Sequence, residues 1–338
     1  MSDVEDWPSV VCLGELLIDL VATGPDPSIE SATTFVKSPG GAPANVAVGL
    51  SRLGVPAAFI GKVSDDAFGG FLRATLDAEG VDTRGLVVDP SARTPLAFVG
   101  SQPSGARAWV FFHRGMADTL LRPDELDTDL IGHARIFHFG SVTLAADPGR
   151  SATLAAARLA RERGCLVSFD PNVRLELWDD PDDARRWIGE AVPLADVIKV
   201  SGDEIDFLTG SDDPRAAATS LRRKGPAMAV VTLGSGGTYV QLGSIDETVP
   251  SFDVTAIDST GAGDAFVSGL LASLIDRRVD ELLALTRPDV SDAIRFANAV
   301  GALATTRIGA IPSLPTRDAV SALMGGAGGA PLIGLILP

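Results

Sequence analysis

Short, nearly unbroken apolar runs alternate along the chain with longer stretches whose apolar positions recur every three to four residues. Runs at 9–19, 57–63, 134–140, 165–170, 197–200 and 228–234 read as buried strands, since a strand covered on both faces has no polar side to show. Stretches 45–53, 67–79, 148–163, 182–191, 203–208 and 214–224 read as helices, several closed by a glycine such as Gly54, Gly80 or Gly164. This repetition predicts a mostly parallel sheet with helices on both faces. Two stretches break the rhythm. Residues 33–37 alternate as a short strand, and 94–112 alternate on either side of a polar turn, a hairpin that stands apart from the main sheet. Residues 238–243 read as a hairpin strand, 252–257 as a strand, and 290–306 and 316–324 as closing helices.

The densest chemistry lies at 256–269, AIDSTGAGDAFVSG. An apolar-alternating run leads into a small-residue turn, Gly261-Ala262-Gly263, and a helical apolar pattern begins at Asp264. The first N–H groups of a helix lack internal partners and carry the positive end of its dipole, so this arrangement offers an anion site. Asp264 adds a base in the same turn, and donors beside a base are what phosphoryl transfer to an alcohol needs. Taken alone, the stretch reads first as an Asp that complements the dipole after a turn that is simply a turn.

Other positions fit a ligand site at strand ends. Asp19 closes the first apolar run, where open α/β sheets place ligands. Gly40 and Gly41 allow close backbone approach, and Asn45 follows at a helix start with a donor and an acceptor suited to sugar hydroxyls. Asp170, Asn172 and Arg174 form a polar cluster at the end of another strand, and Arg114 and Asp118 follow the hairpin. Several readings fail. Gly61-Lys62 is not a P-loop, because Val63 stands where a Ser or Thr should hold magnesium and Pro56 where the first glycine belongs. His113, His133 and His138 lack metal-ligand spacing and read as structural or exposed, and there is no GxSxG elbow. Gly234-Ser235-Gly236-Gly237 is followed by a strand, not the helix that a dinucleotide fingerprint requires.

Composition narrows the partners. The 338 residues carry a net charge of −16, and the basic residues are scattered, which argues against nucleic acid or an anionic membrane as a partner. Cys12 and Cys165 lie in strand-like runs and suit a reducing compartment. The N-terminus lacks a signal-peptide core, and no segment has the length of a membrane-spanning helix, so the cytoplasm is expected.

With these residues in view, the chain resembles the ribokinase-like (PfkB-type) carbohydrate kinases, and within them is most similar to the fructokinases, from about residue 10 to residue 315. GGAPANVAVGLSRLG and DSTGAGDAFVSG carry the resemblance, supported by GELLID, GKVSDDAFG, SFDPNVRLELW, VVTLGSGG and NAVGALATTRIGAIPSLP. It implies a three-layer α/β/α fold: residues 1–20, 38–93 and 119–325 as a kinase domain, 21–37 and 94–118 as a small β-sheet lid, and 326–338 as a flexible tail. It implies ATP-dependent transfer of a phosphoryl group to a primary hydroxyl of a ketose, with fructose the expected sugar. Asp264 matches the family's base, and Gly261, Ala262 and Gly263 its anion hole. Asp19, Gly40, Gly41, Asn45, Arg114, Asp170, Asn172 and Arg174 match substrate positions. Lys199, Ser201, Glu204, Thr232, Gly234, Gly263 and Asn298 fall on the nucleotide side, with Glu204 also organising magnesium. Asp258, Thr260, Ala304, Gly309 and Ser313 match a monovalent-cation site, usually for potassium, built mostly from carbonyls. One departure stands out: the family's Asn-x-x-Glu motif reads Ser201-Gly202-Asp203-Glu204. A homodimer through the lid is also expected. The rival readings are 2-keto-3-deoxygluconate, ribose or nucleosides as substrate, a non-catalytic member that binds sugar or nucleotide, and, more distantly, an NAD-dependent oxidoreductase.

Overall fold

The structure, a computed structural model, describes residues 7–24, 27–101 and 107–326. In chain order the elements are β1 (Val10–Leu13), β2 (Leu17–Thr23), β3 (Thr34–Gly40), α1 (Ala42–Arg52), β4 (Ala57–Ser64), α2 (Ala67–Ala78), β5 (Leu86–Asp89), β6 (Leu96–Ser101) and β7 (Arg107–Phe112). Next come α3 (Thr128–His133), β8 (Ile136–Gly140), α4 (Gly149–Glu162), β9 (Leu166–Asp170), α5 (Pro181–Ala191), β10 (Val197–Ser201), α6 (Ile205–Thr209), α7 (Pro214–Arg222) and β11 (Met228–Thr232). The chain closes with β12 (Thr238–Leu242), β13 (Ile245–Val249), α8 (Ala262–Leu274), α9 (Val279–Leu282), α10 (Arg287–Ala304) and α11 (Arg317–Gly326).

Nine strands form one sheet in the order β13-β12-β11-β10-β9-β8-β1-β4-β5. It is parallel from β11 to β5, with β12 and β13 added antiparallel at one edge. The apolar runs are continuous because both faces are covered. Val10, Cys12, Ala57 and Phe59 pack into a core with α1, α8 and α10. Their neighbours Val11, Leu13, Ala58 and Ile60 pack into a second core with α4, α5 and α7. A second sheet of four strands, β3-β2-β6-β7, stands beside the first. Its β2 pairs antiparallel with β3 and parallel with β6, and β7 closes it as the hairpin partner of β6.

Four local expectations change. The apolar run 9–19 is two strands in different sheets, broken at Gly14-Glu15, where β1 ends and the chain crosses over. Asp19 is therefore not at the carboxyl end of a buried parallel strand; it sits within β2 of the small sheet, opposite Ser38 and Ala97. Residues 252–257 form no strand. Their main chain has no ladder partner, and Ile257 and Asp258 donate instead to the Thr305 carbonyl. The edge strand is β13, whose Asp246 and Glu247 mask the pattern because only Ile245 and Val249 face inward. Helices α1 and α8 begin a little before their apolar pattern, at Ala42 and Ala262. Residues 327–338, the greater part of the expected tail, lie outside the described residues.

Candidate active site

The site collects at the carboxyl edge of the parallel strands, where Asp170 ends β9, Ser201 ends β10 and Thr232 ends β11. Helix α8 opens at the same edge. Its N-cap is Gly261 at φ 77°, a left-handed turn that favours glycine. A Cβ there would also lie 2.8 Å from the Ala310 Cα. Asp264 follows in the first turn, buried at 8% exposure.

Helix α1 packs directly on α8. A Cβ at Gly49 would lie 2.3 Å from the Ser268 Oγ, so only glycine permits this approach. The close packing brings Asn45 to Asp264: Asn45 Nδ2 donates to Asp264 Oδ2 at 2.7 Å. The Asn45 Oδ1 is buried with no hydrogen-bond partner among the described residues, which leaves an acceptor available to a hydroxyl. Burial pushes the Asp264 carboxyl up to about 6, against the opposing pull of the Asn45 hydrogen bond. Nearby Asp19, also buried, is pushed up to about 7 by burial and then by the Asp264 charge. Gly40 lies flush against it, since a Cβ there would meet Asp19 Oδ2 at 2.3 Å.

On the other side of Asp264 stands a buried ion pair. Lys199 Nζ donates to Asp170 Oδ2 at 3.0 Å, with both side chains under 10% exposed. A Cβ on Gly263 would come within 3.1 Å of the same ammonium, which places Lys199 beside the turn that opens α8. Burial disfavours the Lys199 charge, but Asp170 and then Glu204 outweigh it and hold its pKa above the usual value. Glu204 ties the neighbouring loops together: its Oε1 accepts from the Val173 N–H, and its Oε2 accepts from the Ser201 N–H and hydroxyl, each at 2.8 Å. Ser201 thus gives its hydroxyl proton to Glu204. Asn172 turns the loop at φ 41° and donates its N–H to Asp170 Oδ1, and Arg174 bonds the adjacent Val173 carbonyl.

The loops flanking α8 are drawn together by Asp258. Its Oδ1 accepts from the Thr260 N–H and hydroxyl, and its Oδ2 from the Gly309 N–H at 2.9 Å. The Ser313 hydroxyl bonds the Ala310 carbonyl, and Ala304 is buried at the end of α10. A cleft runs between these loops and the small sheet, lined by Asp19, Val21 and Ser38 on one side and Asp258, Thr260 and Gly309 on the other. Not every expected residue gathers here. Arg114 is exposed and paired with Asp179. Asn298 spends its side chain on Thr238 and on the Val249 and Pro250 carbonyls, fastening α10 to the edge hairpin. Gly234 begins the turn after β11, and Thr232 bonds the Val200 carbonyl. Lys62 is buried against Glu125, in keeping with the failed P-loop reading. His113 and His138 are buried and His133 stacks on Trp7. Glu15 was hidden in the sequence as a mere interruption; its only signal is a charged residue inside a buried apolar run.

Residues 8–317 match the pfkB family carbohydrate kinase. The chain belongs to that family. Among its relatives, the probable fructokinase-4 of Arabidopsis thaliana is 45% identical over 318 residues, 94% of this chain and 97% of that protein. The crystal structure of a fructokinase with bound ATP from Xylella fastidiosa superposes with a TM-score of 0.87 at 33% identity, covering 95% of this kinase and 99% of that chain. A fructokinase from Vibrio cholerae O395, in fructose, ADP and calcium ion bound form, gives 0.82 at 36% identity, with 93% and 98% covered. The ribokinase-like architecture expected from the sequence is the architecture of this kinase, with the parallel sheet, the flanking helices and the small second sheet all present.

Proposed function

We propose that this protein is a fructokinase, transferring the γ-phosphoryl group of ATP to a primary hydroxyl of fructose to give fructose 6-phosphate and ADP. The observation that carries the chemistry is the buried Asp264 carboxylate in the first turn of α8, held by Asn45 at the N-terminus of that helix. The choice of sugar rests on the fructokinases to which the chain is similar. Asp19 and Asn45 position the sugar. Its hydroxyl oxygen attacks the γ-phosphorus, the bond from that phosphorus to the β–γ bridging oxygen breaks, and the hydroxyl proton passes to Asp264. The N–H groups at 261–263, with Lys199 and Arg174 nearby, offset charge on the transferring group.

Magnesium would enter with the nucleotide. Among the described residues no group of three or more His, Cys, Asp or Glu is arranged to hold a metal, while the one spare lone pair of Glu204, on Oε1, suits a water of a phosphate-bound magnesium ion. A monovalent cation, potassium by our reading, would rest on main-chain carbonyls of the loops that Asp258 gathers and would firm the turn before α8. Thr232, Gly234 and the helix bearing Asn298 would flank the nucleotide. The small sheet β3-β2-β6-β7 serves as a lid over the sugar, and Arg114 would leave Asp179 to reach the substrate on closure. Its edge strands β3 and β7 and the exposed Val36, Val110 and Phe112 suit pairing with a second copy. No helix among the described residues is long and apolar enough to cross a membrane, and the buried free cysteines fit the cytoplasm.

The test is ADP release with ATP, magnesium and potassium against fructose, ribose, 2-keto-3-deoxygluconate, glucose and adenosine. Turnover on fructose supports the assignment, and turnover confined to another sugar replaces it. Two further results are expected. Because the base must be ionised and burial holds Asp264 near 6 and Asp19 near 7, kcat/KM should fall about tenfold per pH unit on the acid side, with coupled apparent values in that range. A profile flat down to pH 5 would remove Asp264 from the proton's path. Gly40→Ala should push its Cβ into Asp19 and raise the KM for sugar about ten- to a hundredfold, with less change in kcat; an unchanged KM would show that Asp19 does not hold the sugar.

A further inference from the structure

Glu15 is 3% exposed, and the phosphoryl-transfer steps above make no use of it. It lies where the chain leaves β1 of the large sheet for β2 of the small one. Its side chain reaches a second crossing, where β3 returns to the large domain: Oε1 accepts the Ala42 N–H at 2.7 Å, the first N–H of α1. Its main chain is pressed on the same spot, since a Cβ on Gly41 would lie 2.3 Å from the Glu15 carbonyl oxygen. A third crossing, after β7, brings His113 and Asp118 close enough to act on Glu15 by charge, with His113 Nδ1 2.8 Å from Asp118 Oδ2. Glu15 Oε2 has no hydrogen-bond partner among the described residues. Two acids and one histidine are buried together at the joint between the sheets, and such groups are costly to bury unless paired or hydrogen-bonded, as Glu15 Oε1 is with the Ala42 N–H.

The anchored helix is the one that carries Asn45, and Asn45 holds Asp264. Asp19 lies four residues beyond Glu15 on the strand that leaves the same joint. We propose that Glu15 is a positioning residue for phosphoryl transfer: by gripping the first N–H of α1 at the joint between the two sheets, it fixes Asn45 against Asp264 and Asp19 against the pair. This rests on the kinase reading of Asp264. Misplacing a reacting group by about 1 Å can cost about a hundredfold in rate, so the grip should be visible in kcat.

Three single variants and one double variant of the full chain test it. Glu15→Ala removes the acceptor and should lower kcat about thirty- to a hundredfold, while the KM for ATP stays within about threefold. Glu15→Gln keeps a carbonyl acceptor for the Ala42 N–H and should recover most of that loss, which a general need for buried charge would not allow. Ala42→Pro removes the donor at a helix position where proline is tolerated and turns its ring carbon against the Glu15 carboxylate, so it should be at least as defective as Glu15→Ala. The double variant Glu15→Ala with Ala42→Pro should then be no worse than the poorer single one, in rate and in urea-unfolding midpoint. Additive losses, equal defects in the Gln and Ala variants, or a wild-type kcat in Glu15→Ala would each overturn the inference. Were Glu15→Ala too unstable to purify, Ala42→Pro and Glu15→Gln alone decide it. The unfolding cycle reads the Glu15–Ala42 bond whichever sugar is used, whereas failure of the fructose assignment shows only as an idle wild type on fructose.

Discussion

Asp264→Asn is expected to lower kcat by roughly 10³- to 10⁴-fold while making the protein more stable at pH 8. The substitution keeps the shape of a side chain buried against Asn45 and removes the proton acceptor and its charge. The stability gain follows from linkage. The carboxyl titrates near 3.8 when unfolded and near 6 when folded, chiefly because burial penalises the ionised form. A raised acid favours the fold while protonated, below the unfolded value, and loses that contribution as pH rises through the folded one. At pH 8 the ionised Asp264 therefore works against folding by up to about 3 kcal/mol. The variant should melt several degrees higher there and show no advantage near pH 3. Steady-state rates and a pH series of melting curves check both halves. Retained turnover would make the α8 turn a scaffold, and an unchanged melting temperature at pH 8 would mean that the ionised carboxylate is better solvated than its burial indicates.

Lys199→Met should be the most damaging substitution to stability, by about 3–5 kcal/mol, because it strands the Asp170 carboxylate in the interior. Removing both charges is gentler than removing one, so Lys199→Met with Asp170→Asn should regain much of the loss. The rate should also suffer. Lys199 counters the Asp170 charge on Asp264, so its loss lets Asp170 raise the base further and shifts the acid limb of the pH profile upward. Urea unfolding and the kcat/KM profile of the single and double variants measure these effects. Equal destabilisation in both would mean that packing of the lysine stem, rather than its charge, is what matters.

Much of the molecule was legible before its structure because it is local. An apolar run closed by a glycine marks its own strand or helix, and the turn 261–263 followed by Asp264 makes an anion site from adjacent residues. Asp170, Asn172 and Arg174 likewise share one loop. The hairpin 94–112 announced a second sheet because its polar turn interrupts the strand–helix rhythm.

Other features were not legible because the deciding partner lies far along the chain. The run 9–19 reads as one strand until Gly14-Glu15 sends its halves to different sheets, a choice made by hydrogen-bond partners near Ala57 and Thr34. No spacing rule announces that Asn45 meets Asp264, 219 residues away; the packing of α1 on α8 at Gly49 decides it. The same holds for the pairing of Lys199 with Asp170 and for the capture of the Ser201 hydroxyl by Glu204. The sequence by itself determined most of the strands and helices, the family, and the place of Asp264 in the turn that opens α8. Only the tertiary structure decided which carboxylates are desolvated together and which cations answer them, because burial and charge coupling depend on distances through space, and the chain's order does not encode those.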